Sequence, residues 1–198
     1  MSQHDQQSLQ VGVIGLGAMG MGTATVLLQH GFNVTGCDIS ADARDAFMAA
    51  GGRSVATPAE LAHCHIVLVV VVNGLQVEQV LFGEQGVASQ LAPGSLIMQC
   101  ATVAPSQAKQ LGERLSTQGL MMLDAPISGG VAKAKSGELS VMASGAPETF
   151  TYAQGVLDAM AAKVYRLGDA PGVGSSMKLV NQLLAGVHIA TAAEAMAL

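Results

Sequence analysis

The sequence predicts an α/β domain, a doubly wound and mostly parallel sheet with helices on both faces. Half of the 198 residues are hydrophobic, 12% are charged and 24 are glycine, a balance suited to strands buried on both faces and joined by tight turns. Short β-branched runs alternate with stretches of helical spacing as far as Gly168, and parallel neighbours need such crossovers. The first alternation passes through a cluster of glycines, the punctuation of a strand-to-helix turn.

Taken in order, Val11 to Ile14 reads as the first strand, Gly15 to Gly20 as a turn, and "TATVLLQHG" as a helix stopped by Gly31. "NVTGCDIS" is the second strand, "ADARDAFMAAGG" a helix capped by Ser40 and ended at Gly51, and "RSVA" a short third strand. The apolar run Ile66 to Val72, "SLIMQC" after Pro93-Gly94, and "LMMLDAP" are further strands, with "PSQAKQLGERLSTQG" a helix between the last two. The alternation continues with "ELSVMASG" as strand, "APETFTYAQGVLDAM" as helix and "KVYRL" as strand. A long apolar helix is expected from about Val173 to Leu198. The expected division is a polar, disordered leader over residues 1–10, one sheet domain over 11–170, and over 171–198 the start of a helical domain whose remainder is absent.

Composition narrows the class of partner. A net charge of −5 without basic clusters argues against nucleic acid, which requires Lys and Arg to neutralise phosphates. Residues 66–72 are too few for a membrane helix, and Asn181, Gln182, His188 and Glu194 interrupt the final apolar run. The leader lacks the apolar core of a signal peptide. Cys37, Cys64 and Cys100 show neither CxxC spacing nor disulfide density, and read as buried thiols of a cytoplasmic protein. His63-Cys64-His65 has metal-ligating side chains but no further ligand cluster, so no metal site is expected. The eleven methionines are scattered and read as core filling.

Three motifs carry chemistry. In Gly15-Leu16-Gly17-Ala18-Met19-Gly20 the first glycine permits the tight turn, the second admits a pyrophosphate to the backbone, and the third allows close packing of helix on strand. Asp38 closes the second strand 18 residues beyond Gly20, near the roughly 20 expected for a ribose-binding acid. The context predicts a Rossmann-type site, with Ile39 following Asp38 along the same edge. A carboxylate accepts from ribose hydroxyls and repels a 2′-phosphate, so NAD is favoured over NADP; Arg44 reads as a solvated surface charge. The second motif, "DAPISGG", presents the Ser128 hydroxyl and the open backbone of Gly129 and Gly130 at a strand end, a nest for a carboxylate. Asp124 reads as the residue that orients this loop. The third is "GVGSSMKLVNQ", where Lys178 and Asn181 are three residues apart and share a helix face. A lysine buried beside a cationic ring has its pKa lowered and becomes available as a general base.

Together "GLGAMGMG", "DAPISGG" and "GVGSSMKLVNQ" resemble the β-hydroxyacid dehydrogenase family over nearly the whole chain. The resemblance implies that Lys178 is the catalytic acid/base, that Ser128, Gly129 and Gly130 hold a substrate carboxylate, and that Asn181 helps place the substrate. It also implies that Thr102 lies near nicotinamide and substrate and that Asn73 lines the cofactor cleft. "GELSVMASG", "KVYRLG" and "NQLLAGVHIATAAEAMAL" are similar to an NAD-dependent subgroup that oxidises a four-carbon sugar acid. Members acting on 3-hydroxyisobutyrate or tartronate semialdehyde are the alternatives within the class. A dinucleotide-binding fragment without turnover is the alternative outside it. Full-length members add a helical domain that completes the site and builds a homo-oligomer, so the partners expected are a small hydroxy acid and further copies of the chain.

Overall fold

The computed structural model describes residues 9–198. The leader expected over residues 1–10 lies outside the described residues up to position 8, while Leu9 packs against the core and Gln10 opens the first strand. The elements follow as β1 (Gln10–Ile14), α1 (Ala18–Gln29), β2 (Asn33–Cys37), α2 (Ala41–Ala49), β3 (Arg53–Val55) and a 3-10 turn (Pro58–Leu61). Then come β4 (Ile66–Val69), α3 (Gly74–Phe82), β5 (Leu96–Gln99), α4 (Pro105–Thr117) and β6 (Met121–Asp124). The last part is β7 (Ile127–Ser128), α5 (Gly130–Ser136), β8 (Leu139–Ala143), α6 (Pro147–Met160), β9 (Ala161–Arg166) and α7 (Val173–Ala197).

The first six strands form one sheet in the order β3-β2-β1-β4-β5-β6, and every neighbouring pair is parallel. Its central strands β4 and β5 are buried on both faces because each side carries helices. Ile66 and Leu68 of β4 join a core with Leu27 of α1 and Phe150 of α6, whereas Val67 and Val69 join Leu81 of α3 and Leu111 of α4 on the other face. That two-sided demand is why β4 reads as an unbroken apolar run rather than an alternating one. Truncating such a fully buried side chain as Leu68 is expected to cost about 2–5 kcal/mol.

Local signals acted where the sequence placed them. Ser40 caps α2 by accepting from the Ala43 N–H at 3.3 Å, and Pro105 opens α4 at its first turn, where a missing N–H leaves no helical bond unmade. β4 ends at Val69, shorter than the apolar run, and Val70 to Val72 become a loop.

The larger difference concerns the last third. β7, β8 and β9 do not extend the main sheet; they form a second, three-stranded sheet, antiparallel between β7 and β8 and parallel between β8 and β9. Only Ala125 and Pro126 separate β6 from β7, far too few residues for a parallel crossover. The two sheets meet at one antiparallel bridge, where Asp124 and Ser144 exchange backbone hydrogen bonds of 3.0 and 2.8 Å. α7 begins against this bridge and then leaves the body of the domain: Gly174, Ser175 and Lys178 are buried, while Leu183, Val187 and Ile189 are exposed.

Candidate functional site

The turn after β1 is shaped by its glycines. Gly15 holds φ at +96°, and a Cβ there would overlap the Val70 carbonyl; a Cβ on Gly20 would overlap the carbonyl of Gly15. A helix thus starts directly against the strand end. Gly17 is the N-cap of α1 and no side chain caps it, and the space beside its Cα is open to beyond 4 Å. The first N–H groups of α1 consequently face a free approach of the kind that binds pyrophosphate. Gly17, Ala18, Met19 and Gly20 line the cleft here. Leu16 faces inward: its side chain is in the core, and its N–H is donated to Asp38 Oδ2 at 2.7 Å.

Asp38 also accepts the Ser40 N–H at 2.8 Å through Oδ1, which fixes the carboxylate at the strand end with lone pairs to spare. Ile39 beside it is 95% exposed. Arg44 is not the solvated charge read from the sequence. Its guanidinium donates to the carbonyls of Asp38, at 2.7 Å, and Ile39, at 3.1 Å, because one turn of α2 carries it back over its own N-terminal approach. Asn73 accepts the Gln76 N–H at 3.0 Å and serves as the N-cap of α3. It does not line the cleft, whose wall here is Val70, Val71 and Val72.

The cleft has a volume of about 460 Å³ and lies beyond the carboxyl ends of β1, β4 and β5, where the strand order reverses. Open α/β sheets bind ligands at this position. Thr102 and Cys100 reach it from the end of β5, Ser128, Gly129 and Gly130 from β7 and the start of α5, and Lys178 from α7. Gly129 and Gly130 have φ of +135° and +75°, a succession that turns the backbone towards the cleft. Lys178 is 7% exposed, and desolvation holds its ammonium below the ordinary lysine value. The Cys100 thiol is pushed up to about 12, chiefly by burial and also by Asp124, and is therefore no nucleophile at neutral pH.

Two further residues depart from the sequence reading. Asn181 is half-buried and outside the lining; Gln182 lines the cleft with Lys178 instead. Both i+3 and i+4 share a helix face with residue i, so the signal for Gln182 was present at the neighbouring spacing. Asp124 does not orient the Ser-Gly-Gly loop through its side chain. That carboxylate is fully buried and receives hydrogen bonds from Gly172, Ser175 and Ser144 around the start of α7. His63 and His65 go to separate partners, Thr35 Oγ1 at 3.4 Å and the Gln10 N–H at 3.0 Å. Among the described residues no group of three His, Cys, Asp or Glu is placed to hold a metal ion, and no helix is long and apolar enough to cross a membrane.

An uncapped glycine turn, a carboxylate at the next strand end and a crevice at the sheet's switch point are the parts of a dinucleotide-binding domain, and the open cradle over Gly17 fits that ligand. The chain belongs to the family described as the NAD binding domain of 6-phosphogluconate dehydrogenase, which it matches over residues 10–168. The likeness read from the three motifs agrees with its relatives. The chain is 56% identical to an L-threonate dehydrogenase of Cupriavidus necator over 192 residues, 96% of this chain and 65% of that protein. It is 34% identical to the mitochondrial 3-hydroxyisobutyrate dehydrogenase of Mus musculus over 94% of this chain and 56% of that one. The crystal structure of 3-hydroxyisobutyrate dehydrogenase from Salmonella typhimurium superposes with a TM-score of 0.92 at 45% identity, covering 96% of this chain and 66% of the other. The chain thus spans 65% of the length of each of two L-threonate dehydrogenases it matches.

Proposed function

We propose that this chain forms the cofactor-binding and proton-transferring part of an NAD-dependent hydroxyacid dehydrogenase acting on L-threonate. The observation that carries the reading is the convergence on one cleft of the α1 turn, the Ser128–Gly130 loop and a buried lysine of lowered pKa. Gly15 to Gly20 and Asp38 would hold the cofactor, with the exposed Ile39 side chain offering a face to its adenine. Bound NAD supplies the hydride acceptor. The Ser128 hydroxyl and the N–H groups of Gly129 and Gly130 take the substrate carboxylate, and Thr102 closes the cleft on the nicotinamide side. Lys178, whose charged form is disfavoured by desolvation, accepts in its neutral form the proton of the hydroxyl as the adjacent C–H bond breaks. Gln182, one turn on from Lys178 and beside the same cleft, helps place the substrate. Oxidation beside the carboxylate would yield the 2-keto acid 2-dehydro-L-erythronate.

The domain division follows the same reading: residues 11–170 bind the cofactor and 171–198 lead into a helical partner domain. We place the protein in the cytoplasm, with homo-oligomers as the working form of the complete enzyme. The test is NADH formation from NAD with L-threonate, 3-hydroxyisobutyrate and D-glycerate in turn. Turnover of threonate alone is expected. Preference for 3-hydroxyisobutyrate, or for D-glycerate as a tartronate semialdehyde reductase would show, would replace the substrate and keep the reaction class.

A second reading, an NAD-binding module without turnover, is favoured by one feature. The rear of α7 exposes Leu183 by 66% and Ile189 by 71%, and apolar side chains at such density need cover. NADH binding by fluorescence without turnover of any of the three acids would establish it.

A further inference from the structure

We propose that Asp124 is the positioning residue of this site: its buried carboxylate clamps the first turn of α7 onto the end of β6 and thereby sets Lys178 opposite the Ser128–Gly130 loop. The proposal rests on Lys178 being the acid/base. Asp124 is fully buried, and a carboxylate taken from water is tolerated only where donors replace its hydration. Three of its four donors come from one helix start. Oδ2 accepts from the Gly172 N–H at 2.8 Å and the Ser175 N–H at 2.9 Å, and from Ser144 Oγ at 3.4 Å, while Oδ1 accepts from Ser175 Oγ at 2.7 Å. The Gly174 N–H, between the two, goes to Ser144 Oγ at 2.9 Å. Three N–H groups that a helix start leaves unpaired are therefore sealed by Asp124 and its bridge partner Ser144, and the positive end of the helix dipole faces the carboxylate.

The clamp acts in two directions. Along the chain, Asp124 stands four residues before Ser128, and the intervening Pro126 carbonyl is held by the Met142 N–H at 3.0 Å. Through space it holds Ser175, three residues before Lys178. A helical side chain leans back over the preceding turn, so the lysine stem crosses the turn that Asp124 holds. Gly174 brings that turn in close, since a Cβ there would strike the backbone of Asp124 and Met142. One carboxylate thus ties both walls of the cleft to a single point, and the angle at which α7 leaves the sheet decides where the amine lies.

The test needs neither substrate nor turnover. Competitive acetylation of the purified chain at about pH 8, read by mass spectrometry, compares Lys178 with the exposed Lys109 and Lys163, while thiol labelling of Cys37, Cys64 and Cys100 reports whether the fold is intact. In the unaltered chain Lys178 is expected to react differently from the exposed lysines; identical reactivity would overturn the acid/base reading and this proposal with it. In Asp124→Asn, which keeps the shape but presents an N–H₂ to donors, Lys178 labelling is expected to rise about tenfold with the thiols still protected and the other lysines unchanged. Unchanged Lys178 labelling with the thiols still protected would overturn the positioning role and leave the acid/base reading standing. Should Asp124→Asn not fold, Ser175→Ala, which removes one hydroxyl, decides the matter: a rise of about threefold supports the clamp and no rise overturns it. In the complete enzyme the same variant is expected to lower kcat and leave the Kd for NADH within twofold.

Discussion

Two helices contribute to the same cleft and treat their N-termini in opposite ways. α1 starts at Gly17 with no side chain capping it and no acidic residue in its first turn. α7 starts at Gly172 with its N–H groups closed by the carboxylate of Asp124 and the hydroxyl of Ser144. The physics is the same in both, since unpaired N–H groups and the helix dipole attract negative charge. What differs is the source of the charge. α1 leaves its N–H groups open, and α7 receives a carboxylate from inside the fold. On the proposed reading the first arrangement makes a binding site, and the second makes a joint.

The contrast can be broken most severely at the amine the joint serves. Lys178→Ala is expected to lower kcat of the complete enzyme by about 100- to 10,000-fold with NADH affinity unchanged, measured by steady-state kinetics beside fluorescence titration. Lost NADH binding would mean that Lys178 serves the cofactor rather than the proton. Next, α1 can be made to resemble α7. The space beside Gly17 admits a side chain, so Gly17→Asp is expected to fold with an unchanged or higher Tm, because aspartate caps at least as well as glycine. Its carboxylate would occupy the phosphate position and weaken NADH binding by about tenfold or more. Undiminished affinity would remove the α1 turn from the cofactor site.

A smaller effect is expected at Asp38. Asp38→Ala removes the repulsion of a 2′-phosphate while the Arg44 guanidinium, bonded to the carbonyls of residues 38 and 39, stays beside the strand end. The NAD-over-NADP preference should shrink by about tenfold, since an arginine is the usual partner of that phosphate. Loss of the bond to the Leu16 N–H should lower stability by about 1 kcal/mol. Smallest at neutral pH are the effects of titration, whose chief cause is burial. Burial pushes the thiols of Cys37, Cys64 and Cys100 up to about 12 from 9.0. The unfolded chain loses those protons first, so stability should fall as pH rises from 9 towards 12 and be indifferent to these groups below 9. Lys178 acts oppositely, because its folded pKa lies below 10.5: its burial opposes folding at neutral pH and ceases to do so as pH approaches 10.5. Lys178→Met should therefore raise Tm near neutrality, with a gain that fades in alkali. A gain independent of pH would show that packing alone produced it.

Much of the molecule was legible before its structure. The glycine turn, the Ser40 cap, the apolar run of β4 and the long final helix all appear where local signals put them. The strand at Asp38 was legible because an acid about 20 residues beyond a glycine turn has a mechanical reason to be there. Less visible were the short pieces: the helix α5, inside "GVAKAKS", has too few residues for a period to register, and β7 has two. The role of Arg44 was hidden by its distance from the strand it serves, although one helical turn suffices to bring it back.

The sequence by itself determined the alternation of strands and helices, the faces that must be buried and the glycine turn that opens α1. Tertiary structure decided that the last three strands stand apart from the main sheet, that Gln182 rather than Asn181 faces the cleft with Lys178, and that Asp124 belongs to α7 rather than to the loop after it. The physical reason is range. Periodicity, capping and turn chemistry act over a few residues and are written in consecutive letters, whereas the bond between Asp124 and Ser175 spans 51 positions and exists only once both sheets have brought its ends together.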